Sequence, residues 1–187
     1  YKIDQFVNTS EFGPVEMDIA YGGAFYGILA ASSVGLDLKS SPVQTMISTA
    51  THLASAVRKQ IPINHPTEDE LGYLYGIIFT DDSAGQQSQP SRNVCVFADG
   101  QVDRSPTGSG VTARLALNAA KGIADVGELY SFESLTDAVF SGKIVQKTKI
   151  GSIPAVTVEV SGRAHYCGSA EFMMEEDDLL ASGFLLR

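Results

Sequence analysis

Asp103-Arg104-Ser105-Pro106-Thr107-Gly108-Ser109-Gly110 is the stretch that organises this chain, because it links a predicted strand to a predicted helix. Upstream, residues 93–98 form a β-branched and aromatic run that ends at the turn pair Asp99-Gly100. Downstream, residues 111–120 combine apolar positions with small, helix-favouring residues. The loop places a carboxylate beside a helix start, where free N–H groups and the helix dipole favour an anion. A group that attracts a cation next to one that attracts an anion predicts a site for a small zwitterion.

The composition predicts a soluble globular protein and argues against two classes of partner. The chain has 187 residues, enough for one large domain or two small ones. Its net charge of −9 argues against nucleic acid, since phosphate binding requires clustered Lys and Arg. No apolar stretch approaches the roughly 20 residues that a membrane helix needs.

The cysteines and the first residue predict a location and a processing state. Cys95 and Cys167 do not make a disulfide framework, so a reducing, cytoplasmic location is expected. The chain starts at Tyr1, with no initiator Met and no signal-like segment, which predicts a fragment or a processed chain.

Hydrophobic periodicity predicts an α+β fold, in which strands outnumber helices and follow one another near the end of the chain. One helix begins at Pro42, with Ser41 as its N-cap, and its apolar positions run from Val43 to Val57. Between the strands, residues 67–70 predict a helical turn, residues 81–91 a mobile surface loop, and residues 175–178 a solvated acidic turn. Gly22-Gly23 predicts a bulge or the close approach of another backbone or a ligand. The predicted strands are residues 15–20, 25–30, 74–80, 93–98, 129–132, 138–145, 155–160 and 164–174.

The cysteines and histidines do not predict a metal centre, because no pair of them has metal-ligand spacing. Cys95 is expected to be a small core residue and Cys167 to lie in the strand 164–174. His52 falls in the first helix and His165 in a strand, so both are expected to be packing or surface residues. His65, between Asn64 and Pro66, is the one histidine that could serve a site.

Residues 108–113 also fit the dinucleotide fingerprint G-x-G-x-x-A, with Glu133 where an acidic ribose ligand could fall. The context argues against this alternative. Gly108 lies ten positions after Ala98, whereas the fingerprint needs its first glycine directly after a strand.

The loop itself resembles a known motif. Asp-Arg-Ser-Pro-Thr-Gly-Ser-Gly is similar to the second active-site motif of the proline racemase family, usually Asp-Arg-Ser-Pro-Cys-Gly-Thr-Gly. The resemblance runs from about Val15 to the end of the chain. Supporting segments are residues 18–26, 63–66, 96–102, 158–162 and 184–186.

The resemblance implies a diaminopimelate-epimerase-like α+β fold, with a mixed or antiparallel sheet around a central helix. Two such halves face each other in the family, which needs no cofactor and no metal. The first half of the family carries a Met-Cys-Gly-His type motif, which does not occur in this chain. Residues 1–163 are therefore expected to be the carboxy-terminal, substrate-binding half. Residues 164–187 are expected to return to the missing amino-terminal half, and the complete protein to be a homodimer.

The resemblance also implies roles for the loop and a small imino acid as substrate. Asp103 would bind the ring nitrogen, the N–H groups of Gly108 and Ser109 would bind the carboxylate, and Phe97 would form an apolar wall. Thr107 stands where racemases have their second cysteine, which resembles the branch that dehydrates trans-3-hydroxy-L-proline to pyrroline-2-carboxylate. A threonine hydroxyl does not ionise usefully near neutral pH, so two-base racemisation loses a partner. Racemase or epimerase activity stays an alternative, as does a non-catalytic amino-acid-binding fragment or pseudoenzyme.

Overall fold

A computed structural model describes residues 1–83, 85 and 89–184, and within them two helices pack against one mixed sheet. The helices are α1 (Val43–Gln60) and α2 (Gly108–Ala120), and short 3₁₀ turns cover Ala31–Val34 and Asp69–Leu71. The strands are β1 (Lys2–Thr9), β2 (Gly13–Tyr21), β3 (Phe25–Ala30), β4 (Leu74–Thr80), β5 (Ser91–Phe97), β6 (Gln101–Val102), β7 (Leu129–Glu133), β8 (Val139–Ile150) and β9 (Ile153–Ser161).

The sheet runs in the order β1-β2-β3-β4-β5-β7-β8-β9, and β6 pairs with β5. Neighbouring strands are antiparallel except for β3 with β4 and β5 with β7. Helix α2 packs against strands from both ends of this order, among them β2, β3, β8 and β9. The sheet therefore wraps around α2, which confirms the predicted mixed sheet around a central helix.

Alternate side chains of the central strands serve two different cores. On β4, Phe79 belongs to the core that includes Met46 and Leu53 of α1. Its neighbour Ile78 belongs to the core that includes Ala113 of α2. Both faces of β4 are buried, which explains why its sequence is a continuous apolar run rather than an alternating one.

A third core covers the remaining side of α2. Val111 and Leu115 of the helix pack with Phe132 of β7 and Ile144 of β8, all of them fully buried. Helix α2 is thus enclosed by the sheet, whereas its first turn lies at the end of the loop 103–107. The described residues contain no helix long and apolar enough to cross a membrane.

Two elements differ from the sequence prediction. Residues 164–174, predicted as a strand, are exposed and pair with no strand among the described residues, so His165 and Cys167 do not lie in a strand. Their apolar residues have no sheet face to join here, and Phe172 and Met173 are 89% and 90% exposed. Conversely, the sequence did not predict the edge strand Lys2–Thr9. Only Val7 of its eight residues is buried, and the other seven show no alternation of apolar and polar side chains.

Both helices begin at a different residue from the one predicted. Pro42 occupies the N-cap of α1, and the predicted cap Ser41 instead accepts a hydrogen bond from the N–H of Asp37 (2.9 Å). Helix α2 begins three residues earlier than predicted, because the N–H of Val111 donates to the carbonyl of Thr107 (2.8 Å). In the predicted loop 81–91, Ser91 already belongs to β5, while residues 84 and 86–88 lie outside the described residues. The acidic residues 175–178 are exposed, as predicted.

Gly22 brings the β2–β3 connection into contact with α2. The sequence predicted either a bulge at Gly22-Gly23 or the close approach of another backbone or a ligand, and the structure shows the approach of another backbone. A Cβ atom at Gly22 would collide with the carbonyl of Ser109 and the backbone nitrogen of Ala113. Both are backbone atoms of a helix that is enclosed by the sheet, so neither can move aside. Only glycine lets the connection sit this close to the first turn of α2.

We expect Gly22→Ala to lower the free energy of unfolding by about 2–3 kcal/mol, because the new methyl group meets rigid backbone. The measurement is urea unfolding of the protein. Gly151→Ala is the control: it meets nothing within 4 Å and costs about 1 kcal/mol, since its positive φ of 59° disfavours alanine. Equal losses in the two variants would contradict the close approach.

Candidate active site

The loop 103–107 is folded around the carboxylate of Asp103. Its Oδ1 accepts hydrogen bonds from the backbone N–H (2.8 Å) and the hydroxyl (2.9 Å) of Ser105. Its Oδ2 accepts a hydrogen bond from the hydroxyl of Thr107 (2.9 Å). The N–H of Asp103 donates to the carbonyl of Cys95 on β5 (3.0 Å), which anchors the loop to the sheet. Oδ2 accepts only one of these bonds, so it is the oxygen available to a cationic ligand.

Thr107 is the N-cap of α2 and has a φ of +66°, a conformation that is costly for a β-branched residue. It is buried, and its N–H donates to the hydroxyl of Ser105 (3.1 Å). Gly110 passes beneath it so closely that an added Cβ would lie 3.1 Å from the Cβ of Thr107. Strain that the surroundings maintain at a helix N-terminus is typical of a functional position.

The first turn of α2 presents the N–H groups of Gly108 and Ser109, which have no partner within the helix. The hydroxyl of Ser109 pairs with the phenol of Tyr26 on β3 (2.7 Å). Tyr26 is fully buried, and burial raises the pKa of its phenol well above the ordinary value. The phenol therefore stays neutral and can donate to Ser109, which leaves the Ser109 proton for an anion at the helix start.

Phe97 belongs to an aromatic wall beside the loop. Its ring stacks on Tyr75 with centroids 5.4 Å apart and planes 15° apart. Tyr75 in turn meets Tyr26 edge to face at 5.8 Å. The sequence predicted a role for Phe97 but not for Tyr26 and Tyr75. A tyrosine in an otherwise apolar strand was the available signal, since a buried phenol needs a hydrogen-bond partner.

Cys95 is the core residue that the sequence predicted, and it lies beside the site. It is fully buried, its thiol forms a hydrogen bond with the side chain of Thr107, and burial raises the pKa of the thiol to about 12. A thiol that stays protonated near neutral pH is neither a nucleophile nor a base. Cys95 therefore supports Thr107 rather than reacting.

A second loop holds the carbonyl of Arg104. Thr136 donates its hydroxyl to that carbonyl (2.7 Å). Arg92 of β5 fixes the turn that carries Thr136, because it donates to the carbonyl of Ser134 (3.2 Å) and pairs with Asp137 (2.9 Å). The same guanidinium pairs with Glu133 (2.7 Å), the residue that the dinucleotide alternative needed as a ribose ligand. Glu133 is thus engaged by Arg92, which argues against that alternative.

The other singled-out residues lie away from the loop. His52 is on the outer side of α1, where it contacts Ser10 (3.3 Å), and Cys167 is exposed. The ring of His65 packs on Tyr21 with centroids 4.9 Å apart and accepts the N–H of Glu68 (3.1 Å). His65 therefore stabilises the turn that begins at His65 itself. It lies at the edge of an apolar groove of about 820 Å³ beside α2. No group of three or more His, Cys, Asp or Glu residues in the described part of the chain could hold a metal ion.

Two curated relatives of high similarity share one name, while a third, 39% identical over 184 residues, is named 3-hydroxyproline 2-epimerase (Burkholderia multivorans) and covers 98% of this chain and 55% of that protein. The trans-3-hydroxy-L-proline dehydratase of Homo sapiens is 48% identical over 185 residues, which are 98% of this chain and 52% of that protein. The protein of the same name from Colwellia psychrerythraea is 44% identical over 187 residues, 100% of this chain and 52% of that protein. The chain spans about half the length of these relatives.

Solved structures and a family model agree on the fold. The hydroxyproline epimerase of Agrobacterium vitis, crystallised with bound trans-4-hydroxy-L-proline, matches with a TM-score of 0.88 and 25% identity, covering 100% of this chain and 53% of that one. The family model described as proline racemase matches residues 1–185, beginning well before the resemblance at Val15 that the motifs suggested. With this match over nearly its whole length, the chain belongs to the proline racemase family.

Proposed function

We propose that this chain forms the carboxy-terminal half of a cofactor-independent enzyme that dehydrates trans-3-hydroxy-L-proline to Δ1-pyrroline-2-carboxylate. The observation that carries the proposal is the hydroxyl of Thr107, held at the first turn of α2 and hydrogen-bonded to Asp103 (2.9 Å). The names of the relatives with 44–48% identity support it.

The substrate is a zwitterion, and the site offers a partner for each of its charges. The ring nitrogen binds Oδ2 of Asp103 in a charge-assisted hydrogen bond. The carboxylate binds the N–H groups of Gly108 and Ser109 at the start of α2, with the Ser109 hydroxyl as a further donor. The apolar ring lies against Phe97. Exclusion of water by this wall strengthens both polar contacts.

The dehydration then needs one base and one proton donor. A base on the opposite face, supplied by the amino-terminal half and by family resemblance a cysteine, removes the α-proton, and the electron pair forms the bond between the α-carbon and the carbon that bears the hydroxyl. The carbon–oxygen bond breaks, and Thr107 gives its proton to the departing hydroxide, which leaves as water. Asp103 returns a proton to Thr107 after receiving one from the ring nitrogen. The resulting enamine tautomerises to Δ1-pyrroline-2-carboxylate.

The segment 164–187 is proposed to pack on the amino-terminal half, leaving residues 1–163 as the substrate-binding half. The support is its surface: large apolar side chains in its described part are exposed and meet no core of this chain, which a stable protein rarely tolerates. They are Tyr166, Phe172, Met173, Met174, Leu179, Leu180 and Phe184. We further propose a cytoplasmic homodimer, as in the family; Cys95 and Cys167, both free thiols, suit a reducing compartment.

The first test is turnover of trans-3-hydroxy-L-proline by the complete protein, followed as formation of pyrroline-2-carboxylate, with the 187-residue chain run alongside. We expect product from the complete protein only, because the base on the opposite face is upstream of this chain. Inversion of proline or 4-hydroxyproline without dehydration would support a racemase or epimerase instead. Ligand binding without any turnover would support a non-catalytic protein.

Thr107→Cys in the complete protein is expected to lower dehydration about 100-fold and to introduce proton exchange at the α-carbon, because a thiol at this position can serve as a second base. The measurement is deuterium incorporation from D₂O into recovered substrate beside product formation. Thr107→Ser keeps the hydroxyl and is the matched control, with dehydration retained. If Thr107→Cys left the reaction specificity untouched, the role of Thr107 would be refuted.

Tyr26→Phe is expected to raise KM about 3- to 10-fold with a smaller change in kcat. Without the Tyr26 phenol, the hydroxyl of Ser109 loses a hydrogen-bond donor and is no longer oriented to donate its own proton to the substrate carboxylate. Steady-state kinetics of the complete protein measure KM and kcat separately. Tyr130→Phe is the control: its phenol bonds Ile123 and Glu128 on another part of the sheet, so KM stays unchanged. A Tyr26→Phe variant with wild-type KM would exclude the phenol from the carboxylate site.

A further inference from the structure

Asn93 of β5 bridges the inside of α2 to the active-site loop. Its side-chain Nδ2 donates to the carbonyl of Pro106 (2.6 Å), the residue before Thr107. Its Oδ1 accepts a hydrogen bond from Nη1 of Arg114 (3.2 Å). Asn93 is fully buried and Arg114 is 4% exposed, so water does not compete for either bond.

Arg114 determines which way the amide of Asn93 faces. A guanidinium can only donate hydrogen bonds, so the atom of Asn93 that faces it must be the oxygen. The NH₂ group is then turned toward Pro106, whose carbonyl can only accept. A neutral amide is the side chain that satisfies a donor on one side and an acceptor on the other.

Arg114 is itself held by two further hydrogen bonds. Its Nη2 donates to the carbonyl of Ser83 (2.9 Å) and the hydroxyl of Ser91 (3.1 Å). The hydroxyl of Ser91 in turn donates a hydrogen bond to the carboxylate of Asp81 (2.8 Å), whose negative charge compensates the buried cation. Burial lowers the pKa of the Arg114 guanidinium to about 10, so the group remains a cation at neutral pH.

The peptide between Pro106 and Thr107 is therefore held from both sides. Asn93 binds its carbonyl, and the hydroxyl of Ser105 binds its N–H (3.1 Å). This peptide plane sets the direction from which Thr107 enters its left-handed conformation. A tilt of the plane would carry the Thr107 hydroxyl away from Asp103 and from the bound substrate, while leaving the first turn of α2 in place.

We propose that Asn93, oriented by Arg114, is a positioning residue that fixes the Thr107 hydroxyl for proton transfer. The inference rests on the proposed function for the reaction that Thr107 serves, but its geometry is independent of the substrate's identity. Asn93 of β5 and Arg114 of α2 would thus affect the catalytic step rather than substrate binding.

The test is Asn93→Asp in the complete protein, a change that keeps an acceptor for Arg114 and replaces the donor that faces Pro106 by a charged acceptor oxygen. We expect kcat to fall about 10- to 100-fold, because a displacement of the reacting group costs rate steeply, and the affinity for L-proline to change less than about 3-fold. L-proline is the binding probe because it lacks the hydroxyl that leaves. Calorimetry measures its affinity, and thermal unfolding measures stability.

Tyr130→Phe is the matched control, since it removes a hydrogen bond of another buried side chain, to the carbonyl of Ile123, without touching Arg114, Asn93 or Pro106. It is expected to lower stability and to leave kcat unchanged. Wild-type kcat in Asn93→Asp would overturn the proposal, and so would parallel losses of kcat, L-proline affinity and stability in both variants. If Asn93→Asp does not fold, Asn93→Ser, uncharged and too short to bridge Arg114 and Pro106, replaces it with the same expectation.

An activity-independent readout separates this inference from the proposed function. In a Thr107→Cys background of the complete protein, iodoacetamide alkylation of position 107 is followed by mass spectrometry of the peptide that carries it, so other cysteines do not contribute. The reactivity of this thiol depends on its place at the helix start. Adding Asn93→Ser, which brings no new charge, is expected to slow alkylation about 3-fold or more, and adding Tyr130→Phe to leave the rate unchanged. An unchanged rate with Asn93→Ser would overturn the inference even in a protein that does not dehydrate trans-3-hydroxy-L-proline, while a slowed rate in such a protein would support it and contradict only the proposed function.

Discussion

The structure depends on keeping Thr107, a β-branched residue, in a left-handed conformation at the first turn of an enclosed helix. That conformation costs of the order of 1–3 kcal/mol, so it persists only if the surroundings fix it from several directions. Asp103 holds the side chain, Ser105 the N–H, Asn93 the preceding carbonyl, and Gly110 leaves the space beneath. The sheet contributes to this as well. Because it wraps around α2, the N-terminus of the helix has a fixed position, and the loop 103–107 cannot relax the strained conformation of Thr107 by moving the helix.

Much of this could be predicted from the sequence, because the site is local. Residues 103–110 are contiguous, and their order of carboxylate, hydroxyl and glycines predicts a loop that leads into a helix and, as a prediction that stays open, a zwitterion site. The central strands β4 and β5 were also predictable, since each contains an apolar run with turn residues near its end. The start of α2 at Gly108 was not, because glycine-rich sequence does not predict helix; the chain is helical there through the bond from Val111 to Thr107.

The parts that could not be predicted depend on contacts across the sheet. Asn93 is 13 positions from Pro106 and 21 from Arg114, and nothing in a strand sequence shows which amide will face which loop. Tyr26 reaches Ser109 over 83 positions for the same reason. The predicted strand 164–174 is the opposite case: its apolar residues indicate burial, but the described residues of this chain do not bury them.

In the proposed mechanism, the residue at position 107 and Asp103 form one proton network. The carboxylate of Asp103 accepts a hydrogen bond from the hydroxyl of Thr107 at 2.9 Å, and in the usual motif of the family the same carboxylate stands beside a cysteine. A thiol at this position can serve as a second base on the α-carbon, as racemisation requires, whereas a hydroxyl does not ionise usefully near neutral pH. A hydroxyl can still accept a proton from one neighbour and give one to another, so Thr107 beside Asp103 can act as a proton relay. A reaction that needs one base and one acid suits this arrangement better than a reaction that needs two bases.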